Sequence, residues 1–227
     1  MLRILFYPII LLLIALSVTE FIPTAKWAVN HYIIYRYMAI GMAGYAVLSI
    51  VRIFNKNLEW MRTFSHELSH TIVGIMFFRK IHSFEAGVGS GVMTHSGGLR
   101  FGDTFISLAP YCLPIFTYLL LFLRELGASS SLYIFDIMIG VTVAFHISCF
   151  RRQIGNYQSD ITSVGITRSY LFIFAMWIVN LTILLLSLRS GVIDAITDVA
   201  VNYWDRLCDW YKFVSRFIVE TFSKLSL

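Results

Sequence analysis

The run Ser169–Leu188, SYLFIFAMWIVNLTILLLSL, is twenty residues long and contains no charged side chain. A second run of twenty residues, Thr104–Leu123, is equally free of charge. A helix rises ~1.5 Å per residue and needs ~20 apolar residues to cross the ~30 Å hydrocarbon core of a bilayer. Both runs therefore predict membrane-spanning helices. A β-barrel, the other architecture that spans membranes, would show short alternating segments in place of continuous apolar runs.

The composition of the whole chain agrees with a membrane protein. Its 227 residues are 58% hydrophobic and 14% charged, with a mean hydropathy of +0.74, whereas soluble domains carry about 45–50% apolar and about 25% charged residues. The net charge of +5 is spread over segment ends, as at the cytoplasmic flanks of membrane helices, so we expect the lipid bilayer and no nucleic acid as a partner. The three cysteines form no CxxC pair, which predicts neither a disulfide framework nor a cysteine zinc site.

The pattern of apolar segments predicts an all-α integral membrane protein with about six membrane-embedded helices. The expected helices are an uncleaved first span that begins at Ile4, then Tyr32–Ile53, Leu58–Phe78 with Asn57 as its N-cap, Asp103–Leu123, Leu132–Phe150, and Ile161–Leu188, which begins with an irregular turn.

Two further segments complete the expected architecture. A glycine-rich stretch between Ile81 and Gly102 predicts a short membrane-associated β-hairpin, which must pack on protein or line a water-filled cavity. Residues 1–189 then form a single polytopic membrane domain with a core over 58–188. The tail, 190–227, mixes aromatic with charged residues and predicts an amphipathic helix that lies on the membrane surface or packs on a partner.

Basic residues predict the orientation of these helices. Arg52 and Lys56 follow the second span, and Arg151 and Arg152 follow the fifth. Positively charged loops face the cytoplasm. We therefore expect the N-terminus and the loop after Arg152 on the cytoplasmic side and the tail on the other side.

The sequence Ser65-His66-Glu67-Leu68-Ser69-His70 contains an HExxH pattern within a predicted helix. His66 and His70 are four residues apart and share one helix face, so their imidazoles can bind one zinc ion. Glu67 lies on the adjacent side, where it can take a proton from the attacking water. Without a metal these residues would be polar groups on a helix face. Two histidines and a glutamate just before an apolar stretch are costly, however, unless they are paired or ligated.

A catalytic zinc site usually has three protein ligands and one open position. Neither a downstream ExxxD helix nor the HxxGxxH continuation of metzincins is present. Asp160 is the strongest remaining candidate, because it follows Arg151-Arg152 at the membrane level where the HExxH helix enters; its alternative role is to cap the last helix. Asp136 is the rival, but it lies early in the preceding span, where it would pair with Arg124 or face the interface.

The ordered motifs resemble the site-2 protease family of intramembrane zinc metalloproteases. The HExxH helix is followed by Gly87-x-Gly89-x-Gly91, by Leu108-Ala109-Pro110, and by a late aspartate at the start of another span. The likeness covers about Leu58–Leu188. The usual third motif of the family ends in Leu-Asp-Gly, whereas this chain has Gln158-Ser159-Asp160-Ile161. The chain therefore resembles a divergent and compact branch without an inserted PDZ-like domain.

The resemblance implies a zinc-dependent endopeptidase that cleaves a transmembrane or membrane-proximal segment of a membrane-protein substrate. It implies one Zn(2+) per chain, held by His66, His70 and Asp160, with Glu67 as the catalytic residue. A strand edge within Phe84–Thr94 could capture the unwound substrate by β-addition. The candidate substrate-binding residues are Gly87, Gly89, Gly91, Asn156 and Gln158, and the candidate oxyanion or accessory groups are His95 and His146. The alternative for Asn156 and Gln158 is to orient Asp160, and the alternative for either histidine is a structural, hydrogen-bonded imidazole. We expect such a protein in a prokaryotic cell (inner) membrane, with the active site toward the cytoplasmic side.

Two other classes of function stay open on the sequence alone. One is a catalytically inactive HExxH membrane scaffold that binds a partner through the hairpin and the amphipathic tail, in which Glu67 would be replaceable. The other is a small transporter, because intramembrane histidines and aspartates also mark ion paths. The chain is small, lacks a repeat and concentrates its polar residues at one membrane level, which disfavours the transporter.

Overall fold

A computed structural model describes the backbone of residues 2–50, 55–98 and 102–225 and the side chains of residues 5–50, 57–98 and 102–218. Within these residues the chain is helical apart from one β-hairpin. The helices and strands follow in the order α1 (Leu2–Asn30), a 3-10 turn (Tyr32–Tyr35), α2 (Arg36–Ile50), α3 (Asn55–Met76), β1 (Lys80–Ala86), β2 (Gly91–Ser96), α4 (Asp103–Cys112), α5 (Ile115–Glu125), α6 (Leu132–Gln153), α7 (Ser159–Val164), α8 (Ile166–Ser190) and α9 (Val192–Leu225).

Four helical segments of the described chain are long and apolar enough to cross a membrane. They are Leu5–Asn30, Tyr32–Ile50, Ser129–Gln153 and Ile166–Ser190, and the bent pair α4 and α5 is a fifth if it counts as one span. The expected number of six is therefore not confirmed. The helix α3 is not among the spans; it carries four charged residues, all between positions 56 and 67. These helices mark the chain as an integral membrane protein.

The expected span Asp103–Leu123 is broken into two helices, because the chain bends by 78° between α4 and α5. Pro114 lies at the break. Proline has no N–H for the helix ladder and its ring clashes with the preceding turn. It also favours an extended conformation in the residue before it, and Leu113 has φ −98° and ψ 106°. At the end of α4, the carbonyl groups of Tyr111 and Cys112 accept hydrogen bonds from Trp177 and Asn180 of α8.

Two other boundaries differ from expectation. Asn57 is not an N-cap, because α3 already begins at Asn55; the last residues of the expected second span lie outside the described residues. The hairpin begins earlier than the glycine-rich stretch: β1 precedes it and pairs antiparallel with β2, from Lys80 opposite Ser96 to Ala86 opposite Gly91. The glycines therefore supply the turn and the start of the second strand.

Small residues allow the helices to pack closely. A Cβ atom on Gly41 of α2 would lie 1.9 Å from the carbonyl oxygen of Ile137, and one on Gly140 of α6 would lie 2.0 Å from that of Met38. Only glycine fits at both positions, so α2 and α6 are in backbone contact, as is common between membrane helices. The long helices α1 and α8 form a second packed pair, through larger side chains that include Ile10, Phe172 and Ile173.

The last expected span is divided at Gly165, whose φ of +104° separates α7 from α8. This agrees with the irregular turn predicted there. The tail does form a helix, α9, but its first half is not free for a partner. Val192, Ala195 and Val199 are buried against α8 and neighbouring helices, and Glu20 of α1 accepts hydrogen bonds from Asn202 and Arg206.

Candidate active site

The side chains of His66, His70 and Asp160 meet where α3 packs beside α4 and α7. His66 and His70 are one turn apart on α3, and Asp160 is in the first turn of α7. Asp160 Oδ2 lies 3.3 Å from His66 Nε2 and 3.4 Å from His70 Nε2. One ligand atom from each of the three side chains lies within 4.8 Å of the others. His66 and Asp160, which are 94 positions apart in the sequence, thus contribute to one site.

These distances fit a zinc ion. Zinc binds imidazole nitrogen and carboxylate oxygen at ~2.0–2.2 Å in tetrahedral geometry, so two neighbouring ligand atoms lie ~3.3–3.6 Å apart. The two distances from Asp160 Oδ2, 3.3 and 3.4 Å, fall in this range. Two imidazoles and one carboxylate are also the donor types that zinc accepts in catalytic sites. The three residues can therefore hold one ion and leave a fourth position open.

Two groups outside the cluster orient its members. His70 Nδ1 lies 2.7 Å from the carbonyl oxygen of Ile106; because a carbonyl only accepts, Nδ1 carries the proton and Nε2 is left to face Asp160. The Tyr111 hydroxyl donates to Asp160 Oδ2 over 3.2 Å. Such supporting hydrogen bonds fix the tautomer and orientation of metal ligands. His66 Nδ1 has no hydrogen-bond partner among the described residues.

Glu67 lies beside the cluster and against the hairpin. It is 8% exposed and lines a cavity of about 310 Å³ with His66, His70, Asp160 and the β2 residues Gly91–Met93 and His95. A Cβ atom on Gly91 would lie 2.7 Å from both Cγ and Oε1 of Glu67. The absence of a side chain at Gly91 therefore allows β2 to form the wall of the cavity next to the Glu67 carboxyl group.

The structure brings most of the site residues expected from the sequence into this cavity. Lining it are His66, Glu67, His70, Gly91, His95, Gln158 and Asp160.

Gly87 and Gly89, expected to bind substrate, belong instead to the hairpin turn and do not line the cavity. Gly89 has φ +80° there, a conformation that glycine adopts readily, and Gly87 N–H donates to the Ser90 carbonyl. Asn156 is also outside the cavity, because its side-chain oxygen accepts a hydrogen bond from Tyr170.

His146 and Asp136 lie elsewhere as well. His146, expected as an accessory group, lines a separate apolar cavity and stacks on Trp177, because its helix face is turned toward α8. Asp136 forms an ion pair with Arg124, with 2.8 Å between Oδ1 and Nε. That pairing confirms the alternative expected for Asp136.

Sequence reasoning missed Tyr111 and the Ile106 carbonyl group. Tyr111 is fully buried, and a buried tyrosine hydroxyl needs a hydrogen-bond partner. The sequence signal was a tyrosine within a charge-free run. That signal does not identify Asp160, 49 positions later, as its hydrogen-bond partner. The carbonyl of a helical residue gives no sequence signal at all.

His95 has the surroundings of a neutral imidazole. Burial, together with the positive charge of Arg79, lowers the pKa of His95. Its Nδ1 is buried and has no hydrogen-bond partner among the described residues. A neutral imidazole in the wall of the cavity keeps one N–H that can be donated to a bound group.

Comparison with known proteins gives one match. The family model described as Peptidase M50B-like matches residues 37–206, about three quarters of the chain. The matched range extends from α2 into α9 and includes the HExxH motif, the hairpin and Asp160. The comparison with curated proteins and with solved structures finds no match.

Proposed function

The chain belongs to the site-2 protease family of membrane-embedded peptidases (M50), and from this premise we propose that it is an intramembrane zinc metalloprotease that cleaves a transmembrane or membrane-proximal segment of a protein substrate. The observation that carries the proposal is the position of Asp160 Oδ2, 3.3 and 3.4 Å from the two histidines of the HExxH motif. A carboxylate that only capped the last helix would have no reason to lie between those two imidazoles.

Four residues that line the cavity, together with Tyr111 beside them, have roles in the proposed chemistry. His66, His70 and Asp160 hold the zinc, which when bound supplies Lewis acidity toward the scissile carbonyl and the attacking water. Glu67 accepts the proton of that water and donates it to the leaving amine, because its carboxyl group is next to the two histidines. Tyr111 keeps the Asp160 carboxylate in place by donating to Oδ2.

The hairpin provides a surface for the substrate backbone. A helical substrate hides its peptide carbonyls in hydrogen bonds and must unwind before it is cleaved. Among the described residues, β2 pairs with β1 on one edge only, and Gly91–Met93 of β2 border the cavity. An extended substrate segment can add to the other edge of β2, as in β-augmentation. Gln158 also lines the cavity, and we assign its side-chain amide to a hydrogen bond with the same segment.

His95 is the group that we assign to the oxyanion. It is on β2 and lines the cavity, and its lowered pKa keeps it neutral near pH 7. Its N–H would donate to the negative charge that develops on the carbonyl oxygen of the substrate. Donors of this kind are worth about 10²–10³ in turnover.

The test uses capture by an inactive variant, because it does not require a known substrate. Full-length Glu67→Gln is purified from the host membrane with bound polypeptides, and these are then incubated with wild-type protein. We expect Glu67→Gln to retain zinc and intact polypeptides, and the wild type to cut the polypeptides into two fragments seen by mass spectrometry. An amide cannot accept the proton of water.

Glu59→Gln is the matched control, since Glu59 is an exposed glutamate on the same helix; it should cleave like the wild type. Cleavage by Glu67→Gln would show that Glu67 is not the base. A zinc-loaded wild type that leaves every captured polypeptide intact would favour the inactive scaffold.

A further inference from the structure

A second polar cavity lies between α2, α3 and α6, apart from the site of His66 and Asp160. It has a volume of about 480 Å³. Three arginines line it: Arg62 from α3, and Arg151 and Arg152 from the last turn of α6. No carboxylate is among the described residues that line it, and none of the three arginines forms an ion pair within the described part of the chain. The cavity therefore concentrates uncompensated positive charge.

Two buried donors in this cavity lack partners. Arg62 is only 5% exposed, and its Nε has no hydrogen-bond partner among the described residues, although Nη2 donates to Ser148 Oγ over 3.2 Å. Tyr45 is 8% exposed, and its hydroxyl is likewise unpartnered among them. A buried guanidinium without a counter-charge is costly. An anion in this cavity would compensate the positive charge of Arg62.

Apolar cavities adjoin this cavity on two sides. One, of about 530 Å³, lies among α2, α3, α5 and α6 and shares Tyr45 and Ser49 with it. The other, also of about 530 Å³, lies between α6 and α8 and shares Ile147 and Arg151. Both are lined almost wholly by apolar side chains. The basic cavity thus has an apolar cavity on each of two sides.

We propose that this basic cavity binds the phosphate of a two-chain anionic phospholipid, whose acyl chains occupy the two adjoining apolar cavities. Arg151 and Arg152 end a membrane-spanning helix, where a phospholipid head group lies. Basic pockets between membrane helices bind anionic head groups elsewhere. Free phosphate would compensate the arginines but leave both apolar cavities empty. The two apolar cavities therefore favour a phospholipid over free phosphate as the ligand.

The bound lipid joins α3 to α6. Arg62 lies one turn before His66 on α3, and its backbone carbonyl accepts a hydrogen bond from Gln153 of α6 over 3.3 Å. A phosphate held jointly by Arg62 and by Arg151 and Arg152 adds a second link between the same helices. It therefore stabilises the helix that carries the HExxH motif, whether or not the protein is a protease.

The experiment measures lipid binding to the full-length protein in neutral detergent by native mass spectrometry and by thermal unfolding. The probes are phosphatidylglycerol, phosphatidylcholine and inorganic phosphate. We expect phosphatidylglycerol to bind and to raise Tm, phosphatidylcholine to bind at least tenfold more weakly, and inorganic phosphate to leave Tm unchanged.

The double variant Arg151→Ala/Arg152→Ala should bind phosphatidylglycerol about thirtyfold more weakly, since each arginine at a membrane surface contributes roughly a factor of five to ten. Both side chains are exposed, so the variant should fold. Arg168→Ala removes an arginine near the start of α8 that does not line the cavity, and it should bind like the wild type.

Three results would overturn the proposal. Equal affinity for phosphatidylglycerol and phosphatidylcholine would show that the negative charge of the lipid does not contribute to binding. If inorganic phosphate raised Tm as much as phosphatidylglycerol does, the acyl chains would not contribute to the stabilisation. Unchanged binding by the double variant would show that the lipid binds elsewhere. If that variant fails to fold, the affinities of the wild type for phosphatidylglycerol and phosphatidylcholine still test the proposal.

Discussion

Adding one methyl group at Gly91 should impair catalysis far more than stability. The Cβ atom of Gly91→Ala would lie 2.7 Å from Glu67 Cγ and Oε1 and 2.8 Å from Thr63 Cγ2. Ordinary contacts begin at 3.4 Å, so the Glu67 side chain must move by about 0.7 Å, the difference between 3.4 and 2.7 Å. A misplacement of ~1 Å in a catalytic group can cost ~10²-fold in rate.

The stability cost of the same change should be small. The groups that the new methyl meets are side chains, which can rotate, and the backbone of Gly91 is not in the left-handed region. Overpacking of this kind costs about 1–3 kcal/mol, and we expect the low end, which lowers Tm by about 2–4 °C in a chain of this size. The cleavage rate should fall about 10- to 100-fold, because Glu67 leaves the position from which it reaches the water.

The assay compares three quantities for Gly91→Ala and wild type: the initial rate of cleavage of a polypeptide captured by Glu67→Gln, the zinc content per chain, and Tm. Zinc should stay at the wild-type level, because Gly91 contacts none of the three ligands. Gly44→Ala is the matched control, since a Cβ atom there meets nothing within 4 Å, and its cleavage rate should equal that of wild type. An unchanged rate in Gly91→Ala would refute the position of Glu67 against the hairpin.

Further substitutions separate the metal site from its surroundings. Metal analysis of His66→Ala and Asp160→Ala should find zinc reduced at least tenfold, whereas a wild-type zinc content in either would exclude that residue as a ligand. Asp136→Asn should keep its zinc but lose about 1–3 kcal/mol of stability, because it leaves the half-buried Arg124 without its charged partner; thermal unfolding measures this, and an unchanged Tm would contradict it. Tyr111→Phe keeps the ring and removes the hydroxyl that donates to Asp160, so competition with a chelator should show zinc affinity about 10- to 100-fold lower. His95→Gln should lower kcat by about 10²-fold at unchanged zinc content, and unaltered kcat would exclude His95 from the oxyanion.

The helix that carries the HExxH motif was predictable because its information is local. The spacing of His66 and His70 places them on one face of any helix, and the flanking residues predict that helix. Asp160 was predictable in position only because topology constrains a membrane protein: Arg151-Arg152 and the following span bring the start of α7 to the level of α3. In a soluble fold the same aspartate would have had no such constraint.

The parts that the sequence did not predict depend on tertiary contacts. The charge-free run 104–123 satisfied every criterion for one straight span, and Pro114 alone indicated the 78° bend. Tyr111 and the Ile106 carbonyl of α4 lie beside the cluster, and neither position follows from periodicity. Gly87 and Gly89 were grouped with Gly91 as substrate-binding residues, although only the pairing of β1 with β2 distinguishes a turn glycine from one that faces Glu67.

The central claim, that His66, His70 and Asp160 hold one zinc ion, is tested most directly by X-ray absorption at the zinc edge of the purified full-length protein. We expect about one zinc per chain, bound by two imidazoles and by oxygen at ~2.0–2.2 Å, with no sulfur at ~2.3 Å. The same measurement on His66→Ala should find no more than one imidazole on whatever zinc is retained. A zinc-free wild type purified without chelators, or a zinc–sulfur distance in its spectrum, would contradict the account.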